Sequence, residues 1–174
     1  MSLSFYDISV PTFLGSLRNL SAILGKGEAH SAANGVDLAA YVTARLAPDM
    51  LPFSNQIQLA SDAAKSGVAR LAQITAPSFP DVETTFPELR ERLSKTIAFL
   101  ESVDRAAIDG GEARIVELKL PNRTLSFTGQ DYLFQFALPN FFFHVVTAYD
   151  LLRSQGVPIG KMDYLAAGNP SAAT

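Results

Sequence analysis

The sequence predicts an all-α four-helix bundle with a β-hairpin inserted before the last helix. Three observations carry the prediction. Four stretches place apolar residues at three- and four-residue steps, the period of one helix face. One segment, Arg114 to Phe127, switches to strict alternation, the period of a half-buried strand. The chain has 174 residues, 48 % of them apolar, which suits one core, so residues 1–174 read as a single domain.

The elements follow in chain order. Val10, Phe13, Leu14, Leu17, Leu20 and Leu24 mark the first helix, with Pro11 placed in its first turn and Gly25 and Gly27 at its end. Lys26 to Pro52 is less regular. Asp37 is positioned to cap a short helix carrying Leu38, Val42 and Leu46, and Pro48 and Pro52 bound a turn. Phe53, Ile57, Ala60, Ala64, Val68 and Leu71 form the second long stripe, whose small residues Ala60, Ala64 and Gly67 permit close helix approach. Ala76 to Pro80 is a linker. Thr85-Phe-Pro-Glu88 is a capping box: the threonine hydroxyl accepts the N3 amide, and the glutamate reaches back to the threonine amide. Phe86, Leu89, Leu93, Ile97, Leu100 and Val103 continue in register until Asp109-Gly-Gly111. Val116, Leu118 and Leu120 then alternate with Glu117 and Lys119, Pro121 to Arg123 turns the chain, and Leu125 and Phe127 return. Thr128 caps a last helix that stops at Gly156. A two-stranded hairpin is not stable alone, so it must lie against the bundle, with Val116, Leu118 and Phe127 inward.

Composition excludes several function classes. There is no cysteine, hence no disulfide framework, thiol nucleophile or cysteine-held metal. Two histidines are too few for a site built from histidine alone. The formal charge is −3, from 14 basic and 17 acidic residues, and no basic block marks a nucleic-acid footprint. The most apolar run, Tyr132 to Val146, falls short of the roughly 20 residues of a membrane span. The start carries no basic and then apolar leader. These features lead to the expectation of a cytoplasmic protein with no nucleic-acid or membrane partner. Phosphate-loop, nucleophile-elbow, zincin and dinucleotide motifs are absent, as is Glu-x-x-His.

The last helix holds the candidate site. At 100° per residue, Phe134, Ala137, Leu138, Phe141, Val145, Ala148 and Leu152 define one arc. His144 falls inside it, and Asn140, four residues earlier, stands at its edge on the same face. A titratable ring aimed at an apolar interior needs a partner or a ligand. Both a neutral core histidine and a pocket residue satisfy that requirement. Pro139 removes a helix hydrogen bond and crowds the carbonyl of Gln135, which predicts a kink beside Asn140. Gln58 and Asp62, four apart on the second long helix, flank its apolar stripe and are the facing candidates, with Tyr149 near the rim. His30 reads as a surface histidine, and Arg90, Glu91 and Arg92 as a solvated face. Phe142 and Val146 point away from the arc and need cover, either from Lys26–Pro52 or from a symmetric homodimer; the dimer is the expectation.

Several motifs carry a resemblance. Phe136-Ala-Leu-Pro-Asn-Phe-Phe-Phe-His-Val-Val-Thr-Ala-Tyr149, Leu151-Leu-Arg153, Gly160-Lys-Met-Asp-Tyr-Leu165, Leu46-Ala-Pro-Asp-Met50 and Thr84-Thr-Phe-Pro-Glu-Leu89 resemble the DUF1993 family, part of the DinB/YfiT-like superfamily of four-helix bundles. The resemblance covers nearly the whole chain. It implies a fold in which many members hold a divalent metal on three histidines, and some relatives are thiol-dependent transferases or hydrolases. By its spacing, His144 takes the second metal position, Asn140 the first, and Gln58 or Asp62 the third. Amide oxygens are poor zinc ligands. The expectation is therefore a bundle with a degenerate metal site, binding a small ligand around Asn140 and His144. The alternative is a divalent-metal-dependent transferase or hydrolase in which His144 is ligand or base, with any metal weakly bound. The ligand is an unknown small molecule.

Overall fold

The structure, a computed structural model, describes residues 3–166. Its long helices are α1 (Phe5–Asn34), α3 (Phe53–Ala72), α4 (Phe86–Glu101) and α7 (Leu138–Ser154). Short helices α2 (Leu38–Thr43), α5 (Arg105–Ile108), α6 (Gly129–Asp131) and α8 (Lys161–Ala166) stand between or after them. α1 packs against α4 and α7, and α3 packs against the same two. The pairs α1/α3 and α4/α7 therefore lie across the diagonals of the bundle. Ring order does not follow chain order, a departure from a simple up-and-down arrangement.

α1 starts earlier and ends later than its apolar stripe. Ser4 and Asp7 form a capping box, which moves Pro11 from the first turn to the second. Gly25 and Gly27 do not end the helix; Gly35, in the left-handed region at φ 65°, does. Gly27 has a packing role instead, because a Cβ there would stand 3.2 Å from Phe86 and 3.5 Å from Leu152. Asp37 caps α2 as expected, though Leu46 lies beyond it and is exposed. On α3 the whole predicted stripe, Phe53 to Leu71, is buried. Gly67 approaches Phe13 and Ala137. Both hydrogen bonds of the Thr85–Glu88 capping box are present at the start of α4.

The hairpin pairs β1 (Ile115–Leu120) with β2 (Arg123–Thr128), with Val116 opposite Phe127 and Leu118 opposite Leu125. Val116 and Leu118 are buried and Phe127 is half-buried, its ring tilted against Tyr132 and Phe136. Thr128 accepts from the Asp131 amide and starts the last helical run. That run passes through a π-helical turn, Tyr132–Ala137, before α7. The Leu138 amide reaches back five residues to the Leu133 carbonyl. The extra residue in this turn, just before Pro139, rotates everything upstream by one position. Leu133 thus takes the inward place that a regular helix gives Phe134, and Phe134 is exposed.

Phe142 is half-buried and Tyr164 of α8 packs nearby on the core, whereas Phe143 and Val146 are 57 % and 40 % exposed. The Lys26–Pro52 segment leaves Val146 open. Among the described residues no helix is long and apolar enough to cross a membrane.

Candidate functional site

The site is built where α3 meets the π-helical turn and α7. Phe141, Val145, Ala148 and Leu152 fill the core side of α7. Asn140 and His144 stand beside them, half-buried. The His144 Nδ1 lies 2.8 Å from Gln56 Oε1, and Gln56 Nε2 donates to the Leu51 carbonyl at 3.0 Å. Burial pushes the His144 imidazole below its usual pKa of 6.5, since desolvation disfavours the charged ring.

Asn140 lines a groove of about 200 Å³ between α3, the π-helical turn and the hairpin. Leu59, Leu118 and Phe136 form apolar walls, and Asp62, Ser66, Arg70 and Tyr132 add polar groups. Arg70 donates to the Tyr132 hydroxyl at 2.9 Å and its guanidinium stands 5.9 Å from that ring. Among the described residues Arg70 has no carboxylate within ion-pair distance. Burial raises the Tyr132 pKa, with Arg70 opposing the shift, so the hydroxyl stays protonated.

The expected convergence of Gln58 with Asn140 and His144 is not found. Gln58 is buried, accepts from the Asn55 side chain at 2.8 Å and donates to Glu83 at 3.0 Å. It faces the linker before α4. The residue that meets His144 is Gln56, which the sequence reading missed. Two helical residues apart means about 200° apart, so the two glutamines cannot serve the same neighbour. Gln56 lies only about 40° from Ala60 on the helical wheel, and that placement on the apolar arc was the available signal. Asp62 does share the groove with Asn140, but its carboxylate is held by Arg92 and Lys65, each at 2.7 Å. Tyr149 is elsewhere: its ring packs edge-on against Tyr164 of α8, centroids 6.2 Å apart. His30 is half-buried, its Nδ1 2.8 Å from the Tyr41 hydroxyl.

These residues do not fit the divalent-metal centre that the family resemblance implies. His144 is a single imidazole whose neighbours are amides, and among the described residues no three His, Cys, Asp or Glu are placed to hold a metal ion. Zinc favours imidazole, thiolate and carboxylate over amide oxygen.

A second polar cluster was also invisible in sequence. Arg90 and Glu91 are exposed and paired with Glu28 and Lys95, as a solvated face should be. Arg92 is not part of that face: it is only 2 % exposed. Its guanidinium meets Asp62 at 2.7 Å, Asp81 at 2.8 Å and Glu83 at 3.0 Å, and donates to the Pro80 carbonyl at 3.1 Å. The Phe79 ring stands over both Arg92 and Lys65. Burial opposes the charge on Arg92, but its hydrogen bonds and the charges of Glu83 and Asp62 outweigh it and raise the pKa. The cluster binds the irregular linker to α3 and α4.

Comparison with known proteins agrees with this architecture. The profile of the DUF1993 family, described as a domain of unknown function, matches residues 5–165. A crystal structure of a DinB family member protein from Shewanella denitrificans, at 1.83 Å resolution, is 39 % identical. It superposes with a TM-score of 0.85 over 92 % of this chain and 91 % of that one. No curated protein matches.

Proposed function

The chain belongs to the DUF1993 family and has the DinB-like helical fold, and we propose that it works by binding a small organic acid in the groove between α3 and α7. The observation that carries this reading is Arg70. Its charge lacks a carboxylate partner among the described residues, and the Tyr132 hydroxyl holds its guanidinium beside apolar walls. An acidic head group would complete that pairing with a charge-assisted hydrogen bond, while Leu59, Leu118 and Phe136 cover an apolar body. Asn140 supplies a donor and an acceptor at the rim. Asp62 stands in the same groove, but Arg92 and Lys65 already balance its charge.

Benzoate is the test probe, because it joins a carboxylate to a small apolar body. Titrated into the ¹⁵N-labelled chain, it should give saturable shifts at the Asn140 side-chain amide and around Arg70. Arg70→Met should abolish them. Shifts of equal size in the variant, or none at millimolar benzoate, would refute the groove.

A further inference from the structure

The groove between α3 and α7 has two polar ends of opposite charge. Asp62, Ser66 and Arg70 line it at four-residue steps on one face of α3. Eight residues separate Asp62 from Arg70, about 12 Å along the helix. The facing helical run is antiparallel to α3, because Tyr132 meets Arg70 and the later residue His144 meets the earlier residue Gln56. Asn140 therefore falls opposite Asp62, away from Arg70, and lines the same groove.

Arg70 leaves one positive charge at the first end. At the second end the balance is reversed. Arg92 and Lys65 both meet Asp62 at Oδ1. Arg92 also serves Asp81 and Glu83, so two cations face three carboxylates and the cluster keeps one negative charge. Asp62 Oδ2 accepts no hydrogen bond among the described residues, and the side chain is 33 % exposed. The half-buried Asn140 side chain makes no hydrogen bond among them either. A free guanidinium edge at one end, free acceptors at the other and apolar walls between complement a molecule with opposite charges at its two ends.

We infer that the ligand class of this groove is an ω-amino acid. Its carboxylate meets Arg70, and its ammonium group donates to Asp62 Oδ2 and the Asn140 side-chain oxygen. The 12 Å between the two ends, less one hydrogen bond of about 3 Å at each, leaves about 6 Å for an apolar spacer. The inference rests on the groove reading above, which places the acid at Arg70; the amine end is its own.

4-(Aminomethyl)benzoate carries an ammonium group at the far end of the benzoate frame, and 4-methylbenzoate has nearly the same shape without it. Titrated into the ¹⁵N-labelled full chain at pH 7, the amino acid should bind about tenfold more tightly, the worth of one hydrogen bond to a charged group. Its methylene protons should give NOEs to the Asn140 side-chain amide, and the ring protons beside the carboxylate should give NOEs to Tyr132. Asp62→Asn keeps an oxygen for Arg92 but removes the charge, and should erase the preference. Equal affinity of the two acids for the wild-type chain overturns the inference while the groove stands, and needs no variant to fold. A reversed pose, with the methylene at Tyr132, overturns it as well. A preference that persists in folded Asp62→Asn denies Asp62 its role and overturns the assignment. Failure of both acids to bind overturns the groove and the inference together.

Discussion

Replacing Arg92 with methionine should be among the most damaging single changes in this protein. Methionine keeps much of the apolar stem but removes the guanidinium. Four acceptor groups lose their donor at once: Asp62, Asp81, Glu83 and the Pro80 carbonyl. Removing one partner of a buried ion pair costs about 3–5 kcal/mol. The three carboxylates do not suffer equally. Asp81 is 54 % exposed and returns to water, and Asp62 keeps Lys65. Glu83, 12 % exposed, keeps Gln58 and its own backbone amide but no cation, and bears most of the penalty. We therefore place the loss near the lower end, about 3 kcal/mol, a large share of the ~5–15 kcal/mol typical of a domain. Urea unfolding at pH 7 reads it directly. Arg92→Met with Glu83→Gln should recover about 1 kcal/mol, because the orphaned charge is gone. Hydrogen exchange in residues 76–84 should speed up in the single variant, since the linker loses its anchor. A loss below about 1 kcal/mol, the level of a surface pair, would mean that Arg92 does not act as a buried ion-pair partner.

Four further outcomes are expected. Leu118→Asp, at a buried position on the hairpin, should cost several kcal/mol by leaving an unpaired charge against α3; unchanged thermal unfolding would contradict the packing. Thr85→Ala should cost about 1 kcal/mol through the lost cap of α4, read by urea unfolding, and a cost near zero would deny the capping box its role. Stability should fall as pH drops below 6.5. His144, whose folded pKa is lowered, resists a proton that the unfolded chain accepts, so His144→Asn should flatten the first part of that fall. Below 4.5 Glu83 and Glu88 add to the fall, and Asp7, held at about 2 chiefly by its hydrogen bond to Arg105, adds between 3.8 and 2, because depressed carboxylates lose their contribution as they protonate. A stability flat from pH 7 to 4 would contradict the signs. For the homodimer expected from sequence, the surface to test is Phe143 and Val146: light scattering at tens of micromolar should give a dimer mass that Phe143→Ser with Val146→Ser halves, and a monomer mass for the wild type refutes the pairing.

What the sequence made legible was whatever depends on near neighbours. The α3 stripe, the Thr85–Glu88 box, the Asp37 cap and the hairpin are all set within a few residues, and each is present, though Arg123, expected in the turn, already pairs with Leu120. The misplacements have physical causes of longer reach. Gly25 and Gly27 read as a helix stop because glycine weakens an isolated helix; Phe86 and Leu152, far along the chain, press on α1 at Gly27 and make a small residue useful there, while a Cβ at Gly25 would meet nothing. A strict 100° count points Phe134 inward, and a single π-helical turn offsets that count. Arg92 looks like its neighbours Arg90 and Glu91 in sequence. Only the folding of residues 79–83 back over α4 buries it. The candidate site was half legible: Asn140 and His144 share the helix face predicted, but their partners depend on the rotation of α3, which decides between Gln56 and Gln58.

The groove is tested most directly by one pair of NMR titrations on the untagged, ¹⁵N-labelled full chain, with benzoate in one series and zinc chloride in the other. A groove that binds an organic acid gives saturable benzoate shifts at Arg70, Tyr132 and Asn140, and no stoichiometric zinc effect at His144. Stoichiometric zinc binding at His144, with Asn140 and Gln56 responding and benzoate inert, would contradict it.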